Sequence, residues 1–60
     1  MRAVTNPDNT RTIFGVSTDT KPTTTFSGPN GNFDIEQGDV FYETNTSKTF
    51  MWTGAAWQEQ

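Results

Sequence analysis

Gly38-Asp39-Val40-Phe41-Tyr42-Glu43-Thr44-Asn45-Thr46-Ser47-Lys48-Thr49-Phe50-Met51-Trp52-Thr53-Gly54-Ala55-Ala56-Trp57 is the stretch that decides the fold. It holds five of the eight aromatic residues of the chain. Val40-Phe41-Tyr42 and Phe50-Met51-Trp52 are β-branched and aromatic runs suited to a pleated, half-buried surface, and turn formers bound each of them. The pattern predicts strand, turn, strand, turn and a short final strand, which is an antiparallel β-meander.

The turn at Asn45-Thr46-Ser47-Lys48 sets the register, and register decides which aromatic residues share a face. A two- or four-residue loop pairs Thr44 with Thr49 and Phe41 with Trp52, so that Phe41, Phe50 and Trp52 line one side. An odd-length loop pairs Tyr42 with Trp52 instead, with Ser47 or Lys48 in a left-handed conformation in the three-residue version. In either register Phe50 and Trp52 face one way and Met51 the other. Thr53-Gly54-Ala55-Ala56 returns the chain tightly, so Trp57 is expected near Trp52 or on an adjacent chain.

Upstream of the meander, Asn6-Pro7-Asp8-Asn9 breaks any helix and favours a turn through the fixed φ of proline and Asx side-chain hydrogen bonds. Thr12-Ile13-Phe14-Gly15-Val16-Ser17 is the first credible strand, and its glycine marks a weak point or a close backbone approach. Asp19-Thr20-Lys21-Pro22-Thr23-Thr24-Thr25 reads as an extended connector, since Pro22 holds Lys21 extended. Gly28-Pro29-Asn30-Gly31 is the strongest turn chemistry in the chain, and Asn30-Gly31 suits a type I′ hairpin flanked by Phe26 and Phe33. These two rings are expected as partly buried anchors of a surface loop. No stretch has sustained helical periodicity, and the twelve threonines are poor helix formers. The expected fold is mainly β: a small meander of three to four antiparallel strands over residues 26–60. Residues 1–25 are expected as an extended arm with one short strand and a Thr/Pro-rich connector.

Composition limits what such a chain does. Its 60 residues are 30% hydrophobic, with a mean hydropathy of -0.75. A core of that size supplies about 3 to 5 kcal/mol, so small chains add disulfides, a metal or a partner. There is no cysteine and no histidine, so oligomerisation or docking on a larger protein is the expected source of stability. A net charge of -3 and scattered Arg2, Arg11, Lys21 and Lys48 argue against nucleic acid as a partner. No apolar run approaches the roughly 20 residues that span a bilayer, so no membrane partner is expected.

Candidate chemistry is thin. Asp34, Glu36 and Asp39 lack the glycine and the terminal bidentate glutamate of a calcium loop. Asp39 and Glu43 as an acid/base pair have no cleft to work in. The chain is expected not to be an enzyme, with no cofactor and no metal. Trp and Tyr beside Asn, Thr and Gly match the composition of a sugar-binding surface, although the chain has few aromatic residues to spare from its core.

The order of the quoted stretch, with Gly38, the aromatic pair Phe41-Tyr42, Glu43-Thr44, a polar turn with Lys48, Phe50-x-Trp52, Gly54 and a closing Trp57, resembles a short module of tailed-bacteriophage structural proteins. The module is met in tail fibres and very small virion proteins, and Ser17-Thr18-Asp19-Thr20-Lys21-Pro22-Thr23 is similar to the lead-in of the small ones. Ser47 departs from the pattern, where such modules often carry Gly. The resemblance implies a non-enzymatic building block of the virion, made in the host cytoplasm. It implies a homotrimer, or many copies bound to a major capsid or tail protein. A capsid decoration or cement protein is the reading taken, with a head or tail fibre subunit as its closest variant and a host-directed glycan-binding module as the alternative class. The contact residues expected on that reading are Ile13, Phe14, Phe41, Tyr42, Phe50, Trp52 and Trp57.

Overall fold

The turn chemistry at Asn6-Pro7-Asp8-Asn9 closes a hairpin. Asn9 N donates to Asn6 O at 2.9 Å and takes a left-handed φ of 70°, while Asp8 Oδ1 accepts from both the backbone and the hydroxyl of Thr10. The strands it joins are β1 (Arg2–Thr5) and β2 (Arg11–Gly15). In this computed structural model, which describes residues 1–29 and 31–60, β3 (Thr25–Gly28), β4 (Gly31–Asp34), β5 (Val40–Glu43), β6 (Lys48–Trp52) and β7 (Trp57–Glu59) follow. No helix occurs among the described residues. The chain is mainly β, as its composition predicts.

Five strands form one sheet in the order β1-β2-β5-β6-β7, and β3 and β4 form a separate hairpin. Strands β5, β6 and β7 are the expected meander. The fold extends further than expected, to seven strands in all among the described residues, five of them in this sheet, whose β2-β5 pair is parallel. The first 25 residues therefore do not lie apart as an extended arm: β1 and β2 join the meander edge to edge. An isolated strand at Ile13–Gly15 has no stable partner of its own, and the Pro7 turn supplies one in β1 while β5 supplies the other. A parallel pair needs a long crossover, and residues 16–39 are that crossover.

The register of β5 with β6 is Phe41↔Phe50, Tyr42↔Thr49 and Glu43↔Lys48. This is neither of the expected pairings. A four-residue loop forms as allowed for, but over Thr44–Ser47, two residues off the even-loop pairing. Ser47 N donates to Glu43 O at 2.8 Å, and Ser47 itself takes φ 61°. A shift by two preserves parity, so Phe41, Phe50 and Trp52 still share a face.

That face is the inner one. Rows of registered neighbours cross it: Ala3, Ile13, Phe41 and Phe50 in one row, with Trp52 and Trp57 paired beside them. Ile13 and Phe41 are fully buried, and enclosing each stabilises the fold by about 2 to 3 kcal/mol. The crossover folds over this face. Phe26 of β3 joins Ile13 and Phe41 in the core, stacked on Phe33 of β4 at 5.2 Å between centroids. Phe26 is thus buried where a partly buried anchor was expected, Phe33 is half-buried, and both rings cover the core. The Asn30-Gly31 turn between them includes Asn30, which lies outside the described residues.

The connector is also part of the cover. Trp57 Nε1 donates to Pro22 O at 2.9 Å, and Lys21 Nζ lies 4.9 Å from the Phe41 ring and 4.3 Å from the Phe50 ring. Lys21 then meets Glu43, one of two buried carboxylates, at 2.7 Å. The other is Asp39, whose Oδ1 accepts from Arg11 N and Oδ2 from Glu36 N, both at 2.9 Å. Asp39 thereby ties the end of the crossover to the start of β2. The radius of gyration is 10.4 Å, the value of about 10 Å that a close-packed chain of this length takes.

Candidate functional site

Every second residue of the sheet strands points away from the crossover, and these residues build an outer face. Two registered rows cross it. One runs Arg2, Phe14, Tyr42, Thr49; the other runs Val4, Thr12, Val40, Met51, Gln58. Phe14 and Tyr42 meet edge to face at 6.1 Å and 79°, and the Arg2 guanidinium lies 4.5 Å over the Phe14 ring. Val4 and Met51 are each 39% exposed, while Phe14, Val40 and Tyr42 are half-buried only by one another and their neighbours. A shallow hollow of about 410 Å³ adjoins Phe14, walled by Met1, Val16, Asp19 and Thr44. The face is a patch of aromatic and aliphatic side chains rimmed by threonines and one arginine, with no described segment of the chain laid across it.

The seven residues expected at contacts between chains divide between the two faces. Ile13 and Phe41 have no exposure and Trp52 has 6%, so these three are spent inside one chain. Phe50 and Trp57 are half-buried on the same inner face, packed against the core. Trp57 stands 5.3 Å from Trp52, as its tight return turn predicts, and 6.0 Å from Phe41. Phe14 and Tyr42 alone of the seven lie on the outer face. Arg2, Val4, Val40 and Met51 join them there without having been singled out. The signal for Val40 and Met51 was present in the period-two alternation, since both sit one residue from a core aromatic.

The inner-face geometry also bears on the sugar-binding reading. That reading needs tryptophan rings open to solvent, and here Trp52 is buried and Trp57 has its indole N–H committed to Pro22. Among the carboxylates, Asp39 has both oxygens taken by backbone amides, and Glu43 has Oε1 taken by Thr46 at 2.7 Å and Oε2 by Lys21. The two stand at opposite ends of β5. The Lys21 ammonium, and after it the Thr46 hydroxyl, holds the Glu43 carboxyl below the usual glutamate range. Asp34, offered to a calcium loop, instead accepts from Thr25 Oγ1 at 3.2 Å. No group of three or more acidic, Cys or His side chains converges among the described residues.

The outer face is thus an apolar face on a small, internally braced sheet. No protein-family model, curated protein or solved structure matches the chain.

Proposed function

We propose that this chain is a non-enzymatic structural protein of a bacteriophage virion, a capsid decoration or cement protein that lays its outer sheet face on the assembled shell. The observation that carries the docking half of this reading is the asymmetry of the sheet. One face is covered by a 24-residue crossover (residues 16–39) that uses up Phe26, Phe33, Lys21 and Pro22. The other carries Phe14, Tyr42, Val40 and Met51 with nothing described above them. A sheet needs apolar residues on one face to fold and on both to bind flat against something. The bacteriophage half rests on the sequence pattern from Gly38 to Trp57. A fibre subunit uses the same face in fewer copies.

Cryo-electron microscopy of particles made with and without the chain tests the proposal. The expected map shows the chain in a copy number that follows the capsid lattice, with Phe14 and Tyr42 turned to the shell, and particles lacking it lose resistance to heat. Tyr42→Asp leaves the fold intact and abolishes particle binding. A few copies at the tail would move the assignment to a fibre subunit, and an outer face turned to solvent would overturn it.

A further inference from the structure

The five-stranded sheet has two free edges, β1 and β7. Hydrogen bonding alternates along antiparallel strands, so the bonds to the neighbouring strand reveal which amides turn outward. Asn6 N donates to Thr10 O, which directs the amides of Ala3 and Thr5 away from β2 to the free edge. Gln60 N donates to Thr49 O and Thr53 N to Ala56 O, which directs the amides of Trp57 and Glu59 away from β6 in the same manner. All four of these residues place their side chains on the inner face. The pairings further make β1 and β7 antiparallel to each other. The two edges are therefore matched in strand direction, in hydrogen-bonding phase and in pleat.

They are matched in charge as well. Beside β1 lies a slot of about 220 Å³ whose described walls include Ala3, Thr5, Phe33, Arg2 and Arg11, and no carboxylate. Lys21 with Glu43 is the one ion pair among the described residues. Arg11 is half-buried, stacked 4.7 Å over Phe33, and its buried Nε has no hydrogen-bond partner among the described residues. A guanidinium in that setting calls for an acceptor. β7 carries one in Glu59, which is exposed and on the inner face.

We propose that the chain assembles head to tail with copies of itself, β7 of one copy adding as a sixth strand to β1 of the next and Glu59 entering the slot toward Arg11. Glu59 opposite Thr5 stands two strand spacings, about 10 Å, from Arg11, a gap that the two long side chains bridge. The contact joins different surfaces, so repetition closes a ring or extends a filament. It leaves the Phe14 and Tyr42 face free, and it holds whatever that face docks on.

Light scattering on the purified chain and its variants tests this. The expected mass is a multiple of one chain. Ala3→Pro removes an N–H that faces only the free edge, so it yields monomer while the near-ultraviolet circular dichroism of Trp52 and Trp57 is kept. Arg11→Glu and Glu59→Arg are each monomeric, and the double variant regains the assembly. An equimolar mixture of the two single variants also regains the assembly, as alternating copies, because every junction between unlike copies again pairs opposite charges. A wild-type chain that stays monomeric at millimolar concentration overturns the proposal. So does an assembly that survives both charge reversals, or one that is dissociated by Phe14→Ser.

Discussion

Lys21 Nζ meets Glu43 Oε2 at 2.7 Å across 22 residues of chain, with the ammonium held over the rings of Phe41 and Phe50. One polar contact thus pins the crossover to the end of β5. Glu43 has its carboxyl held below the usual range, first by the Lys21 hydrogen bond and then by Thr46. A carboxyl depressed in the folded state contributes stability above its unfolded value, near 4.5, and loses it as pH falls through the folded value. Wild-type stability is expected to hold above that value and to decline below it.

Glu43→Gln is expected to flatten that acid decline in thermal melts taken between neutral and strongly acidic pH, while Asp8, which Thr10 also holds below the usual range, still contributes a decline of the same sign. Lys21→Met is expected to be worse than Lys21→Met with Glu43→Leu, because the single change strands a buried carboxylate while the double change replaces the pair by apolar contact. Equal melting temperatures for the two would show that the pair carries nothing.

Gly15→Ala tests a close approach in the core. A Cβ there lies 2.6 Å from Phe41 Cζ and 2.9 Å from Asp19 Oδ2. Phe41 is fully enclosed and has nowhere to retreat. The expected cost is about 1 to 3 kcal/mol, read as a melting-temperature drop of some 4 to 8 °C per kcal/mol in a domain of this size.

Phe26→Ala removes the ring that covers Ile13 and Phe41. Such a truncation costs about 3 to 5 kcal/mol, which matches the whole stability expected of so small a core. The variant is expected to lose cooperative melting and its near-ultraviolet signal at neutral pH. A variant that melts cooperatively within a few degrees of wild type would remove Phe26 from the core.

Ser47→Gly is expected to stabilise. Ser47 takes φ 61°, a conformation that costs an L residue roughly 1 to 2 kcal/mol. Glycine adopts it freely but brings a greater unfolded-chain entropy of roughly 0.5 to 1 kcal/mol. Denaturant titration should show a gain of up to about 1 kcal/mol with an unchanged slope. A loss would mean that the Ser47 side chain supports the turn.

The parts of this fold that local chemistry governs were legible. The Asn6-Pro7 turn, the close approach at Gly15 and the shared face of Phe41, Phe50 and Trp52 all follow from residue types and period-two alternation. β1 was not legible, because Arg2-Ala3-Val4-Thr5 is too short and too polar at its ends to declare itself without a partner. The parallel pairing of β2 with β5 leaves no local mark, since its cause is burial between segments distant in sequence. Lys21 and Pro22 were read as connector on composition, yet one caps Glu43 and the other accepts the Trp57 indole proton. For the same reason the candidate contact residues fall on both faces: aromatic identity does not say which side of a sheet a ring faces until the crossover chooses one to cover.

The parallel join at the centre of the sheet also sets the order in which the molecule assembles in time. The β1-β2, β3-β4 and β5-β6-β7 units close through short loops, on the order of microseconds. Joining β2 to β5 requires the crossover to come round first, with loop-closure entropy lost before any contact rewards it. Asp39, bonded to Arg11 N across 28 residues, sits where that loop closes. The rate of folding is therefore expected to respond to the length of the Thr-rich crossover and to Asp39, while changes in the two short outer turns act mainly on the rate of unfolding.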